Sequence, residues 1–298
     1  MCIICKRQYN EFTEIIDCRT CQTVRKIPYL PNVLILNIVN TKIEHIPFLP
    51  KLTELWCTGS KIKTIPILPK LKMLSCRHTV VSEIPLLPNL KRLYCEETPV
   101  ETIPKLPRLL ELYIYNTKIT ELPRLDKLTM LSCRNTRIKS LPDIKTLEIL
   151  DCSDTPMITL GKFPNLKRLH CEGVTFKDVV GFRKLQDLYC SRSLIENIKD
   201  LPELLYLECE NTCIGKLSNL EQIRYIICNN CPFLVSIEIN CVIQSDNCKW
   251  LRPKKKMIVD LVESQRIARK YFKRREFITR LILNRYLYID LVNLILSY

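Results

Sequence analysis

Residues 52–69 read Leu-Thr-Glu-Leu-Trp-Cys-Thr-Gly-Ser-Lys-Ile-Lys-Thr-Ile-Pro-Ile-Leu-Pro. The pattern returns at once in Leu71, Leu74, Cys76, Thr79, Val81, Ile84, Pro85, Leu87 and Pro88. Cysteine marks the interval. Counting forward by nineteen from Ile38 meets Cys57, Cys76, Cys95, Ile114, Cys133, Cys152, Cys171, Cys190, Cys209 and Cys228 without a slip. Cys18 stands twenty before Ile38, one residue out of phase. So strict a period describes an array of one small unit, which cannot bury its apolar face alone and shares a core with its stacked neighbours.

Each position in the unit has a physical reading. Leu-x-Cys alternates inward and outward, as a short half-buried strand does. Three places after the cysteine stands a hydroxyl: Thr41, Ser60, Thr79, Thr98, Thr117, Thr136, Thr155, Ser193 or Thr212. Such a hydroxyl can bond nearby backbone where the chain leaves the strand. The paired prolines hold the return segment extended and forbid a long helix there.

The pattern resembles the leucine-rich repeat, L-x-x-L-x-L-x-x-N-x-L, over about residues 15–237. Within that class it is most similar to the short proline-bearing repeats of bacterial effectors and of giant-virus (mimivirus-like) proteins. Two departures mark this chain: cysteine replaces the strand leucine, and threonine replaces the asparagine of the turn. A threonine ladder is expected to tie neighbouring repeats less completely than asparagine amides. The resemblance implies a leucine-rich-repeat solenoid with short parallel β-strands on its concave face and an extended, turn-rich convex face.

Twelve rungs at the strand spacing of a sheet give a ladder roughly 55 Å long. The expected organisation is an N-terminal cap at 1–14, the array at 15–237, a C-terminal cap at 238–252 and a basic helical tail at 253–298. The convex wall should change character along the array. Ile-Pro stands at Ile27–Pro28, Ile46–Pro47, Ile65–Pro66, Ile84–Pro85 and Ile103–Pro104, then Leu122–Pro123 and Leu141–Pro142. Afterwards the proline goes and the apolar residue stays: Leu160–Gly161, Val179–Val180, Ile198–Lys199, Leu217–Ser218.

The chain carries 46 Lys/Arg against 31 Asp/Glu, a net charge of +15, and residues 253–298 alone contribute +7 from eleven basic and four acidic residues. Such a balance suits acidic partners, nucleic acid or anionic membrane without choosing among them. No apolar run reaches the length of a membrane span, and Met1–Arg7 lacks the apolar core of a signal peptide. An intracellular protein is expected, in the host cytoplasm if the source is viral. The 17 cysteines then read as reduced thiols, because ladder cysteines point inward between leucines and behave as small hydrophobes.

Cys2-x-x-Cys5, twelve residues, Cys18-x-x-Cys21 has the spacing of a four-thiolate zinc knuckle. A competing explanation is at hand, since Cys18 and Cys21 already fill the strand and hydroxyl positions of a first repeat, and Cys228-x-x-Cys231 shows the array making that motif by itself. On that ground no metal or other cofactor is expected.

The default binding surface is the concave face, where the residues flanking each cysteine point outward. The column before it runs Trp56, Ser75, Tyr94, Tyr113, Ser132, Asp151, His170, Tyr189, Glu208; the column after it runs Thr58, Arg77, Glu96, Tyr115, Arg134, Ser153, Glu172, Ser191, Glu210. Trp56, Arg77, Tyr94, Tyr113, Tyr115 and Arg134 fall together and are of the types that anchor interfaces. Further on, Glu172, Asp187, Glu208 and Glu210 turn the face acidic.

In the tail, Ile267, Tyr271, Ile278 and Ile282 line one helical face. Arg266, Arg269, Lys270 and Lys273 make a basic stripe. Gln265, Arg269, Arg274 and Phe277 match the spacing of a calmodulin-binding IQ motif, although Ser264 and Lys270 depart from it. A calmodulin-like protein or an anionic surface is thus a candidate partner through 259–277, beside the plainer role of a helix capping the array. Histidines 45, 78 and 170 have no companion nucleophile, and no glycine-rich phosphate loop is present. The function that follows is a non-enzymatic protein-binding scaffold. The alternatives are a nucleic-acid or anionic-surface binding protein and an adaptor in ubiquitin transfer.

Overall fold

The computed structural model of the protein describes residues 2–234, 236–237 and 241–244. The helical tail at 253–298, its IQ-like segment at 259–277 and most of the 238–252 cap lie outside the described residues. Among the described residues there is no helix, and none is long and apolar enough to cross a membrane.

The chain winds so that one three-residue strand per repeat joins a single parallel sheet of thirteen strands. It begins with Ile15–Asp17 and Ile35–Asn37, steps through Glu54–Trp56, Met73–Ser75 and their successors, and reaches Tyr225–Ile227. A thirteenth strand, Val242–Gln244, pairs with Tyr225–Ile227 and carries the sheet one rung past the twelve counted in the sequence, into the segment assigned to the C-terminal cap. The register is constant: Leu36 faces Leu55, Leu55 faces Leu74, Leu74 faces Leu93, and so on to Leu207 facing Ile226.

The strands are short because the side-chain pattern changes immediately after them. The central leucine and the cysteine two places on both point inward, and Leu55, Cys57, Leu74, Cys76, Leu93 and Cys95 are wholly buried. With the isoleucines and leucines of the return segments they form one continuous apolar core from Ile16 to Ile237. Stacked layers of this kind contribute stability through contacts between neighbours, so the core is long rather than round.

The hydroxyl after each cysteine closes its own turn and, with one exception, does not bridge to the next repeat. Thr41 Oγ1 donates to the Ile38 carbonyl at 2.7 Å, Ser60 Oγ to Cys57 at 2.6 Å, Thr79 Oγ1 to Cys76 at 2.6 Å and Thr117 Oγ1 to Ile114 at 2.7 Å. This agrees with the expectation that threonine ties neighbouring repeats less completely than asparagine amides do. At this turn position the hydroxyl points back at its own strand carbonyl, and among the described residues only Thr212 also lies near a neighbouring layer, 3.6 Å from the Cys231 sulfur. At this turn backbone bonds join the repeats: Asn40 N–H to Thr58 O at 2.9 Å, Gly59 N–H to Arg77 O at 2.9 Å, His78 N–H to Glu96 O at 3.1 Å. The donors of these bonds sit in the left-handed region, with φ of 55° at Asn40, 64° at Gly59 and 51° at His78. Glycine adopts that conformation without a Cβ penalty and Asn tolerates it. At Gly59 an added Cβ would lie 2.2 Å from Asn40 Oδ1, so the Asn40 side chain would have to turn aside.

The convex wall changes where the prolines stop. In the proline-bearing repeats it has no strands. Asp178–Val180 pairs in parallel with Asn197–Lys199, and Lys216–Leu217 with Ser236–Ile237, as two separate ladders. Proline has no N–H to give a ladder, so its loss permits a second seam on the opposite side of the core. Gly161, the first residue to replace a proline, sits under the Phe163 ring, where a Cβ would meet the ring Cζ at 2.9 Å.

Candidate functional site

Three outward positions per strand build the open face of the sheet, and two of them were read from the sequence. The third, immediately before the central leucine, supplies Met73, Arg92, Glu111, Met130, Arg168, Asp187, Tyr206 and Tyr225. Its signal was available in the residue between the two leucines of L-x-x-L. That residue alternates in and out with its neighbours just as the other two do.

Side chains from the middle repeats enclose a cavity of about 1020 Å³ on this face. Its walls include Arg77, Tyr113, Tyr115 and Arg134, four of the six residues singled out in the sequence, together with Glu96, Met130, Asp154, Arg168 and His170. Trp56 is not among the lining residues; it is half-buried and its indole N–H donates to Glu54 Oε2 at 3.4 Å. Tyr94 does not line the cavity either, being only 2% exposed. The Tyr113 ring stacks on it at 5.0 Å, the Arg77 guanidinium covers it at 4.7 Å, and its hydroxyl donates to Glu111 Oε2 at 3.0 Å. Tyr94 is therefore a platform for the two residues above it.

Arg77 also faces Glu96, with Nε 3.0 Å from Oε2 of a carboxylate that is 1% exposed. The two atoms are close but not aligned as a hydrogen bond. Burial pushes the Glu96 carboxyl up to about 7, against the lowering pull of Arg77. Burial first, and Glu96 second, raise the neighbouring Tyr115 phenol. The other arginines of the face are paired as well. Arg134 lies 3.1 Å from Asp154, Arg168 lies 3.2 Å from Asp187, and Arg192 lies 3.8 Å from Glu172.

A run of stacked rings continues from the cavity toward the C-terminal repeats. His170 lies flat on Tyr189 at 4.2 Å, Tyr189 meets Tyr206 at 5.1 Å, and Tyr206 stacks on Tyr225 at 5.9 Å. The acids expected there are held locally. Glu208 accepts from Ser191 and Tyr206, each at 3.2 Å, and Glu210 accepts from Asn229.

The ladder thiols are sealed. Cys57, Cys95, Cys152, Cys171 and Cys190 are held well above the ordinary thiol range, with burial the largest cause. Cys76 is pushed up to about 12 by burial and then by Glu96. The N-terminal cysteines differ. Cys2 and Cys5 have their sulfurs 3.7 Å apart, and Cys5 and Cys21 3.6 Å apart. All three are half-buried, and their sulfurs lie within 4.8 Å of one another. Cys18, 1% exposed, neighbours Cys2.

The convex side carries two features of its own. A groove of about 600 Å³ between Ile158, Gly161, Phe163, Val180 and Phe182 marks the place where the wall changes. Tyr29, Phe48, Ile67 and Leu86 form an exposed apolar stripe at one position of the first repeats. The column continues as Lys105 and Arg124.

No protein-family model matches the chain, and no curated protein matches it in sequence. Solved structures do. An internalin, InlF, of Listeria monocytogenes is similar with a TM-score of 0.65 at 20% identity, over 83% of this chain and 86% of that one. YopM, a leucine-rich effector protein of Yersinia pestis, gives 0.61 at 19% identity, over 82% and 76%. The functional domain of InlJ of Listeria monocytogenes, which includes a cysteine ladder, gives 0.57 at 19% identity over 78% of this chain, which spans 59% of its length. At these identities the likeness establishes the leucine-rich-repeat fold.

Proposed function

We propose that the protein is a non-enzymatic scaffold that binds a protein partner on the concave face of its repeat array. The observation that carries this reading is the 1020 Å³ cavity lined by Arg77, Tyr113, Tyr115, Arg134 and His170. Aromatic and arginine side chains, partly exposed and fixed by their neighbours, are what protein interfaces use as anchors. Arg134, Arg168 and Arg192 are each matched by an acid in an adjacent layer, so the face is mixed in sign. A surface that tracks phosphates needs uncompensated cations, which weighs against nucleic acid as the occupant of this face. An intracellular setting and a viral source belong to the same reading, supported by the thiol-lined core and the character of the repeats.

The test compares the wild-type chain with a Tyr115→Ala/Arg134→Ala/His170→Ala variant as bait in host lysate. A convex control, Ile67→Ser/Leu86→Ser, is run beside them, with circular dichroism confirming that each folds. A protein captured by wild type and control but lost by the cavity variant supports the reading. Equal capture by all three baits overturns it. Binding to a nucleic-acid probe that falls steeply with salt favours the nucleic-acid alternative.

A further inference from the structure

We propose that Cys2, Cys5 and Cys21 form a structural zinc site that fastens the N-terminal segment to the end of the array, with Cys18, which neighbours Cys2 but stands outside that cluster of three sulfurs, moving in as the fourth ligand. The first observation is the convergence of the thiols. Zinc–thiolate bonds of about 2.3 Å place the sulfurs of a tetrahedron roughly 3.8 Å apart. The Cys2–Cys5 and Cys5–Cys21 separations are 3.7 and 3.6 Å, whereas a disulfide requires about 2.05 Å.

The second observation removes the competing explanation from the repeat. Cys231 occupies the same column as Cys21 at the far end of the array. It behaves as a repeat residue, being wholly buried with its sulfur 3.0 Å from the Cys209 carbonyl oxygen. Cys21 is half-buried, and its sulfur lies against Cys5, sixteen residues earlier. Repetition puts a cysteine in the column but does not bring Cys2 and Cys5 to it.

The third observation is what else holds the segment. None of the described residues from 2 to 15 is buried; the buried core starts at Ile16. Cys2, Ile4, Cys5 and Tyr9 pack against the core only in part, which leaves room for a metal whose binding contributes folding free energy directly. Both cysteine pairs sit on tight turns, with Lys6 N–H bonded to Cys2 O and Cys21 N–H to Cys18 O, each at 3.0 Å. The Thr23 hydroxyl lies 3.1 Å from the Cys5 sulfur and 3.3 Å from that of Cys21. It is placed to donate to the thiolates as an orienting partner of the site.

Binding converts four thiols and Zn²⁺ into a tetrathiolate carrying two negative charges, with release of four protons and no change of oxidation state. Lys6 and Arg7 follow the first pair and supply compensating charge.

The experiment uses the full chain purified under reducing conditions. Elemental analysis should find one zinc per chain. The chelator-stripped protein titrated with cobalt(II) should show the visible bands and the sulfur-to-metal charge transfer of tetrahedral thiolate. Cys2→Ser/Cys5→Ser should lose both signals, and Cys213→Ser should keep them. Should the double variant not fold, the cobalt titration of the wild-type chain still decides. A folded, reduced wild-type chain that holds no zinc and gives no thiolate bands with cobalt overturns the site. An unchanged all-thiolate spectrum in Cys18→Ser overturns Cys18 as the fourth ligand.

Discussion

The guanidinium of Arg77 is the charge partner of Glu96: Nε lies 3.0 Å from Oε2, and the carboxylate is 1% exposed while Arg77 keeps 37% of its side-chain surface in solvent. The arginine thus roofs a buried acid while standing on the Tyr94 ring 4.7 Å below. Arg77→Ala strips away both contacts. Where Glu96 is ionised, above about pH 7, removing its partner leaves a buried charge uncompensated. Solvent screening of the exposed arginine reduces the loss, to about 1–3 kcal/mol. Arg77→Ala/Glu96→Gln should recover part of it in chemical denaturation, and a double variant no more stable than Arg77→Ala counts against the pairing.

The Glu96 carboxyl also makes stability depend on pH. Its folded-state value of about 7 lies above the ordinary 4.5. The folded protein therefore holds a proton that the unfolded chain releases. The associated stability is fully present below pH 4.5 and is lost as pH rises through 7. Melting curves between pH 4.5 and 8 should show this decline in the wild type and a shallower one in Glu96→Gln. Parallel curves remove Glu96 as the cause.

The ladder cysteines should react only on unfolding. Cys133 is wholly buried and its thiol is raised by burial and then by Asp151. Thiol titration of the folded chain should label the half-buried cysteines and leave the ladder untouched until denaturant is added. Cys133→Ser should cost roughly 1–3 kcal/mol by burying a hydroxyl without an assured partner, and Cys133→Val less. Rapid labelling of the whole set in native buffer sinks the assignment.

The second seam predicts opposite responses to proline. Lys199→Pro places a residue without N–H in the ladder that joins Asp178–Val180 to Asn197–Lys199. A lost hydrogen bond of this kind costs about 1 kcal/mol, with ring strain added. The reverse change, Pro85→Lys, falls where the described wall has no strands and should cost only the roughly 0.4–1 kcal/mol of unfolded-chain entropy that the proline removed, less than Lys199→Pro. Urea denaturation of the two variants separates them, and equal effects contradict the role given to the prolines.

The fold was legible because its cause is periodic. Leu55, Cys57, Ile62, Ile65 and Leu68 recur, and each is buried. The change of the convex wall was legible for the same reason. The site was legible by face but not by depth. Trp56 and Tyr94 share a column with Tyr113, but only Tyr113 lines the cavity. What covers an outward side chain is set by the neighbouring layers, as Arg77 and Tyr113 cover Tyr94. Glu96 looks in the sequence like any exposed acid of the face. Its burial depends on residues nineteen positions away in either direction, and no local pattern reports that. The approach of Cys5 to Cys21 was signalled by the paired C-x-x-C spacing, but the repeat already explained Cys21 and made that signal ambiguous.

The paired ladders of the later repeats have a mechanical consequence. A stack stitched along one edge opens like a book, because pulling the other edge apart breaks side-chain packing and only scattered backbone bonds, such as Arg137 N–H to Ile119 O. A stack stitched along two opposite edges cannot open that way without tearing a row of backbone bonds. The repeats before Gly161 are therefore the compliant half of the spring, able to adjust their curvature around whatever they hold. The two junctions crossed by the second ladders, Asp178–Val180 with Asn197–Lys199 and Lys216–Leu217 with Ser236–Ile237, are its stiff points, and a load applied along the chain should strain the proline-bearing turns first.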